Sequence, residues 1–144
     1  VGTVKDLEVL LLTQTAVTDD GLAKLSGLKK LRALDLKRTN ITDKGLVTIG
    51  QLSALQDVQL ERAKVTIEGA KELTKLSKLK SLNLNIISGI DDKALEEVCK
   101  IKTLESLQID STRITDAGMP ALKNLENLSR LSMRLCDITG EGLK

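Results

Sequence analysis

Apolar residues recur along this chain in a fixed frame. The stretch from Leu28 to Gln51, LKKLRALDLKRTNITDKGLVTIGQ, displays it as LxxLxxLxLxxTxITDxGLxxI, and the frame restarts at Val4, Leu28, Leu52, Leu76, Ile101 and Leu125. The intervals are 24, 24, 24, 25 and 24 residues, a self-similarity that marks stacked repeat units. Each unit carries two local patterns. The LxLx segment, as in Leu34-Asp35-Leu36-Lys37, alternates apolar and polar residues with the period of a half-buried strand. On that reading Leu34 and Leu36 point into the core and Asp35 points to solvent, where its replacement by Ala should be nearly silent.

The ITDxGLxxL segment then places a helix-capping residue before apolar residues spaced three apart, and so predicts a short helix. The capping position reads Thr18, Thr42, Thr66, Asp91, Thr115 and Thr139. A helix of roughly two turns does not stand alone. It holds only if side chains such as Leu22 and Leu25, or Leu46 and Ile49, pack on its own and neighbouring strands, so the units must stack with their strands in parallel.

LxxLxLxxTxI followed by TDxGLxxL resembles a leucine-rich repeat, and the resemblance covers essentially residues 4–144. The ITDxGL half is similar to the cysteine-containing subclass found in ubiquitin-ligase substrate adaptors. It is also similar to a 24-residue variant common in large bacterial multi-repeat proteins, which the shorter period favours. The resemblance implies an α/β fold: a right-handed solenoid with a concave parallel β-sheet and short convex helices, used to bind other proteins. Residues 1–144 then make a single array of six turns. Neither end shows the polar cap that a repeat array needs, and the frame stops at Leu143-Lys144 inside the sixth helix, so the array is expected to continue beyond this stretch.

Two departures from the frame stand out. The position after each strand, which the family fills with Asn or Cys, reads Thr15, Thr39, Ala63, Ile87, Thr112 and Cys136. A Thr hydroxyl there is expected to bond backbone of the adjoining turn, whereas Ala63 and Ile87 leave those groups to backbone or water. The fourth turn also carries a one-residue insertion around Ser88 and Gly89. It reads as a binding bulge or as a tolerated loop expansion in which Gly89 supplies an unusual backbone angle.

Composition removes several chemistries. The chain has no Phe, Tyr, Trp or His, which leaves no histidine general base, no imidazole for zinc and no aromatic platform for single-stranded nucleic acid. A net charge of +2 from 22 basic and 20 acidic residues is too balanced for a nucleic-acid or anionic-membrane footprint. No apolar run reaches the roughly 18 residues of a membrane span, and the opening VGTVKDLEVLLL lacks the form of a signal peptide. Cys99 and Cys136 fall about two turns apart, roughly 10 Å along the stack, too far for a disulfide.

No GxSxG, Walker loop, CxxC or HExxH occurs. Asp91 and Asp92 sit at a helix start, where carboxylates cap free amides. The expectation is therefore a non-enzymatic module with no cofactor or metal. The resemblance places partner binding on the outward strand positions, and the candidates are Arg32, Asp35, Lys37, Arg38, Gln59, Glu61, Arg62, Asn83, Asn85, Gln108, Asp110 and Arg134. One column reads Leu11, Asp35, Gln59, Asn83, Gln108 and Ser132, and the next reads Thr13, Lys37, Glu61, Asn85, Asp110 and Arg134. Glu8 with Arg32, Lys37 with Glu61, and Asp110 with Arg134 are expected to pair across adjacent strands. Arg38 and Arg62 stand as like charges on neighbouring strands, which suggests a protein partner with an acidic surface unless Arg38 turns to Glu61. A structural spacer in a large protein, or the recognition repeats of a ubiquitin-ligase adaptor, are the alternatives.

Overall fold

Each turn begins with a three-residue strand whose middle residue enters the core, as Leu34 does in Ala33–Asp35, and the next inward residue, Leu36, follows it. The computed structural model describes residues 4–144. Its six strands are β1 (Val9–Leu11), β2 (Ala33–Asp35), β3 (Asp57–Gln59), β4 (Ser81–Asn83), β5 (Ser106–Gln108) and β6 (Arg130–Ser132). They form one parallel sheet in sequence order. Leu34 stands between Leu10 and Val58, and Leu82 between Val58 and Leu107, so one aliphatic column runs the length of the sheet. The pairing continues past the strands: Leu36 N–H donates to the Gln59 carbonyl at 2.8 Å, and Arg38 N–H to that of Glu61 at 2.8 Å. Both expected outward columns are therefore in register.

The chain returns through α1 (Asp19–Ala23), α2 (Asp43–Ile49), α3 (Ile67–Leu73) and α4 (Asp92–Val98). Their apolar sides, including Leu46, Ile49, Leu73, Leu95 and Val98, are fully buried against Leu34, Leu36, Leu60 and Leu84. Each such side chain contributes about 1.5–3 kcal/mol on leaving water. In the fifth turn the return segment Asp116–Asn124 is a 3-10 helix containing Pro120, which has no N–H to give an α-helical ladder. In the sixth turn Thr139 accepts from Glu141 N–H at 3.1 Å, but turns rather than the expected helix follow.

The helix starts carry a second stacking device. Asp43 Oδ1 and Oδ2 accept from Thr66 N–H (2.8 Å) and Thr66 Oγ1 (2.6 Å) of the next turn, and Oδ1 also accepts from Gly69 N–H at 3.0 Å. Asp19 holds Thr42, Asp92 holds Thr115 and Asp116 holds Thr139 in the same way. Thr42, Thr66 and Thr115 are thereby placed to cap their own helices. Thr18, expected to cap α1, makes no side-chain cap bond, and no carboxylate holds it among the described residues. Gly69 is required for closeness: a Cβ there would stand 2.4 Å from Asp43 Oδ1 and 2.7 Å from Val65 Cγ1.

The ladder has one gap, between the third and fourth turns. Ile67 stands where the first, second, fourth and fifth turns have Asp, and the following turn has Asp91 in place of Thr and Ala94 in place of Gly. The three changes belong together, because without the carboxylate neither the Thr donor nor the glycine clearance is needed. Asp91 instead caps α4 by accepting from Ala94 N–H at 3.0 Å. The insertion lies at this junction. Gly89 does not adopt the unusual backbone angle expected of it, since no described glycine has a positive φ. It is needed for contact, because a Cβ would meet the Val65 carbonyl oxygen at 2.1 Å.

The post-strand threonines also differ from expectation. Thr15, Thr39 and Thr112 donate to carbonyls of their own turns, those of Leu12, Leu36 and Ile109 (2.7–2.8 Å), because the hydroxyl is three residues from a carbonyl already turned towards it. Cys136 does reach the adjoining turn, with Sγ 3.2 Å from the Ile109 carbonyl. Ala63 is bridged by backbone, its N–H donating to Leu60 at 2.9 Å.

Two tests follow from this packing. Leu36→Asp, at a fully buried site, should cost more than about 4 kcal/mol and unfold the array. Asp35→Ala should cost about 1 kcal/mol rather than be nearly silent, because its half-buried carboxylate accepts from Lys37 N–H at 3.0 Å. Denaturant melts of the two variants read this directly. Gly69→Ala should lose about 1–3 kcal/mol by overpacking, and a Gly69→Ala melt indistinguishable from the parent would remove the clearance argument.

Candidate functional site: the concave face and its border

The outward strand side chains face solvent because the inward ones are consumed by the core, and the twelve candidate residues sit along this face and its edge. They do not form one uniform surface. Asn83 and Asp110 are buried, at 5% and 8% exposure, contrary to the expectation that they are open to a partner. Asn83 Oδ1 accepts from Asn85 N–H at 2.9 Å, and Asn85 Oδ1 accepts from Asp110 N–H at 2.8 Å. Asp110 in turn accepts from Ser132 Oγ (2.6 Å), Arg134 N–H (2.7 Å) and the Arg134 guanidinium (3.1 and 3.2 Å). Across the last three turns Asn83, Asn85, Asp110, Ser132 and Arg134 form a ladder satisfied within the chain.

The first turns are arranged differently. Arg32 lies 3.6 Å from Glu8 and Arg134 lies 3.1 Å from Asp110, as the spacing predicts. Lys37 does not pair with Glu61. Its Nζ lies 3.1 Å from Asp35 of its own strand, and Glu61 is taken by Arg38 Nε at 3.4 Å. The short side chain of Asp35 curls back to the Lys37 amide and brings the ammonium with it, which leaves Glu61 for the longer arginine. Gln59 donates to Asp57 at 2.6 Å. Among the described residues Arg62 has no ion-pair partner, and Gln108 has no side-chain hydrogen bond.

Burial pushes the Asp110 carboxyl up, but the bonds from Ser132 and from Arg134 outweigh it and hold the group below its ordinary value. Asp35 is likewise held low, burial being offset by the Lys37 amide, the Thr13 hydroxyl and the Lys37 ammonium. Neither group has the raised pKa of a general acid. Cys99 is a free thiol that burial pushes up to about 11, which removes its thiolate at neutral pH. Among the described residues no group of three His, Cys, Asp or Glu converges as a metal site would, and no helix is long and apolar enough to cross a membrane.

Sequence reasoning reached only Arg38 and Arg62 of the border of the face and missed the rest. The residue three positions after each strand end is left-handed in all six turns: Gln14, Arg38, Arg62, Ile86, Ser111 and Leu135 have φ between 55° and 65°. The bend ends the ladder, with the N–H still donating to the next turn, as from Ile86 to Asp110 at 2.8 Å. Ile86 (44% exposed) and Leu135 (87% exposed) are open. The repeat register would have located this column. Within LNLNIISGI and RLCDI, however, both residues look like core aliphatics.

The depressed carboxylates set a pH dependence. Their folded values lie below the unfolded value of about 3.9, so the stability they supply is present above about pH 4 and is lost as pH falls through the folded values. Denaturant midpoints should therefore drop as the pH falls below about 4. Asp110→Asn should be less stable at neutral pH and show a shallower drop, and a slope equal to the parent's would remove Asp110 from this account.

Comparison with known proteins agrees with the geometry. The Leucine Rich repeat family profile matches residues 27–50, 100–123 and 124–144. No curated protein matches the chain. Among solved structures it is similar to an internalin (inlF) from Listeria monocytogenes, with 20% identity and a TM-score of 0.54 over 95% of this chain and 51% of that one. It is also similar to an internalin C2 (inlC2) from the same organism, with 20% identity and a TM-score of 0.58 over 94% of this chain and 75% of that one. The chain thus spans about half the length of the first of these structures. With the 24-residue frame, the parallel sheet and the helical returns in place, the chain folds as a leucine-rich-repeat solenoid, three of whose turns match that family's profile.

Proposed function

We propose that this chain is a non-enzymatic protein-binding repeat module that presents its concave face and the border of that face to a protein partner. The family's fold is typical of protein-binding modules. The observation that carries the reading here is the uneven saturation of the face: Asn83, Asn85 and Asp110 are spent internally, while Arg62 stands exposed beside Arg38. Arg38 already lies 3.4 Å from Glu61, so an acidic surface laid across the two turns is favoured chiefly by the unpaired Arg62. The internally satisfied ladder of the last three turns supports a second reading, a structural spacer, because a spacer needs a face that asks for nothing.

Area bears on how a partner is held. Six strands at about 4.8 Å, each showing some five residues at about 3.3 Å, project roughly 450 Å², against about 800 Å² per partner in a standard interface. The face also lacks Trp and Tyr, which dominate hot spots. A partner gripped by this stretch must therefore spread past the strands onto neighbouring surface.

A photo-crosslinking residue placed at Gln59 on the concave face, and separately at Lys71 on the convex side, tests the reading in cells that make the protein. Protein adducts from Gln59 and not from Lys71 are expected. The double substitution Arg38→Glu with Arg62→Glu should reduce the Gln59 adduct and flatten its dependence on salt. Equal adducts from both positions, or none from Gln59, would favour the spacer.

A further inference from the structure

The left-handed column bordering the face has a chemistry that folding does not account for. A side chain in this conformation is strained, because its Cβ crowds the following carbonyl oxygen, and Gly or Asn suits it best. Ile86 is β-branched and Leu135 is largely exposed, so both accept that strain while gaining little burial. Their side chains wall an open groove of about 590 Å³ over the fifth turn, lined also by Asn85, Asp110, Ser111 and Arg134.

A second cleft opens beside it where the aspartate ladder is interrupted. It lies between Arg62 and Lys64 of the third turn and Ile86, Ser88 and Gly89 of the fourth. Arg38, Lys37 and Arg134 each have a carboxylate. Arg62 and Lys64 have none among the described residues, although both line the same cleft and both are exposed.

We propose that the two clefts together hold an extended segment of a partner protein in which an acidic residue and a large aliphatic residue stand two positions apart. The carboxylate lies in the cleft between the third and fourth turns that Arg62 and Lys64 line, and the aliphatic side chain lies between Ile86 and Leu135. The spacing follows from the repeat. The cationic cleft is centred between the third and fourth turns and the apolar groove on the fifth, so they are one and a half turns apart, about 7 Å at 4.8 Å per turn. Residues i and i+2 of an extended chain point the same way and are separated by about 6.6–6.8 Å. A phosphate would satisfy the cations but leave the aliphatic groove wet, so a peptide fits the pair of clefts better than a nucleic acid. The proposal rests on the protein-binding reading and supplies its location and chemistry.

Panning the 144-residue chain against a displayed library of random peptides tests it. Enriched sequences should carry Asp or Glu two positions from Leu, Ile or Met. A synthetic peptide from that pool, followed by fluorescence anisotropy, should lose about tenfold or more in affinity with Arg62→Glu plus Lys64→Glu, and again with Ile86→Asp plus Leu135→Asp. Circular dichroism checks that the variants fold. Leu135→Asp alone, at a side chain 87% exposed, keeps the test decisive if Ile86→Asp does not fold. Enriched peptides without the spacing, affinity indifferent to both pairs, or self-association of the chain abolished by both pairs would overturn the proposal. Peptides lost instead on Gln59→Lys plus Gln108→Lys would move binding to the strands, sinking the groove and leaving the protein-binding reading intact. No enrichment alongside a productive Gln59 crosslink sinks the groove alone, and failure of both sinks both.

Discussion

No turn of this solenoid can bury its own apolar side chains, and everything else in the structure follows from that. A three-residue strand and a two-turn helix form too small a unit to exclude water from Leu34 or Leu46. Those residues are nevertheless fully buried, because each turn is roofed by the next. The stacking fixes the strand order, the parallel direction and the in-register columns. It is also why the side chains split so sharply into an aliphatic interior and a polar face.

A second constraint runs along the helix starts. The carboxylate of one turn holds the Thr and, as at Asp43 and Gly69, the Gly amide of the next, so the device ties helix capping to turn spacing. Where Ile67 replaces the carboxylate, its Thr and Gly counterparts are replaced too, and the one-residue insertion falls at the same junction. The cleft lined by Arg62 and Lys64 opens there. The two turns still meet closely there, Gly89 packing against the Val65 carbonyl, so what changes at that point is the lining of the surface rather than the contact between turns.

The polar face shows how little an exposed pattern says about availability. Asn83 and Asp110 occupy outward positions by alternation, yet they bridge to amides of the same or the next turn and are buried by the neighbours they hold. Lys37 stands beside Glu61 by register, yet it turns to Asp35. These choices depend on side-chain length and on which amide lies free, and several arrangements differ by no more than the few tenths of a kcal/mol that exposed pairs contribute.

The fold was therefore legible in the sequence. The 24-residue frame, the LxLx strands, the Thr and Asp caps and the aliphatic core are local patterns repeated six times, and repetition turns a weak local signal into a firm one. Helix type in the fifth turn was within reach through Pro120, but its effect depends on the tight return path of that turn. The binding residues were legible only as columns. Which of them is free, and that Ile86 and Leu135 lie outside the core, was decided by the left-handed bend at the strand ends. That bend is a backbone conformation, imposed by the need to leave the sheet and re-enter the core within a few residues, and it is set by the stacked turns rather than by the identity of the residue that adopts it.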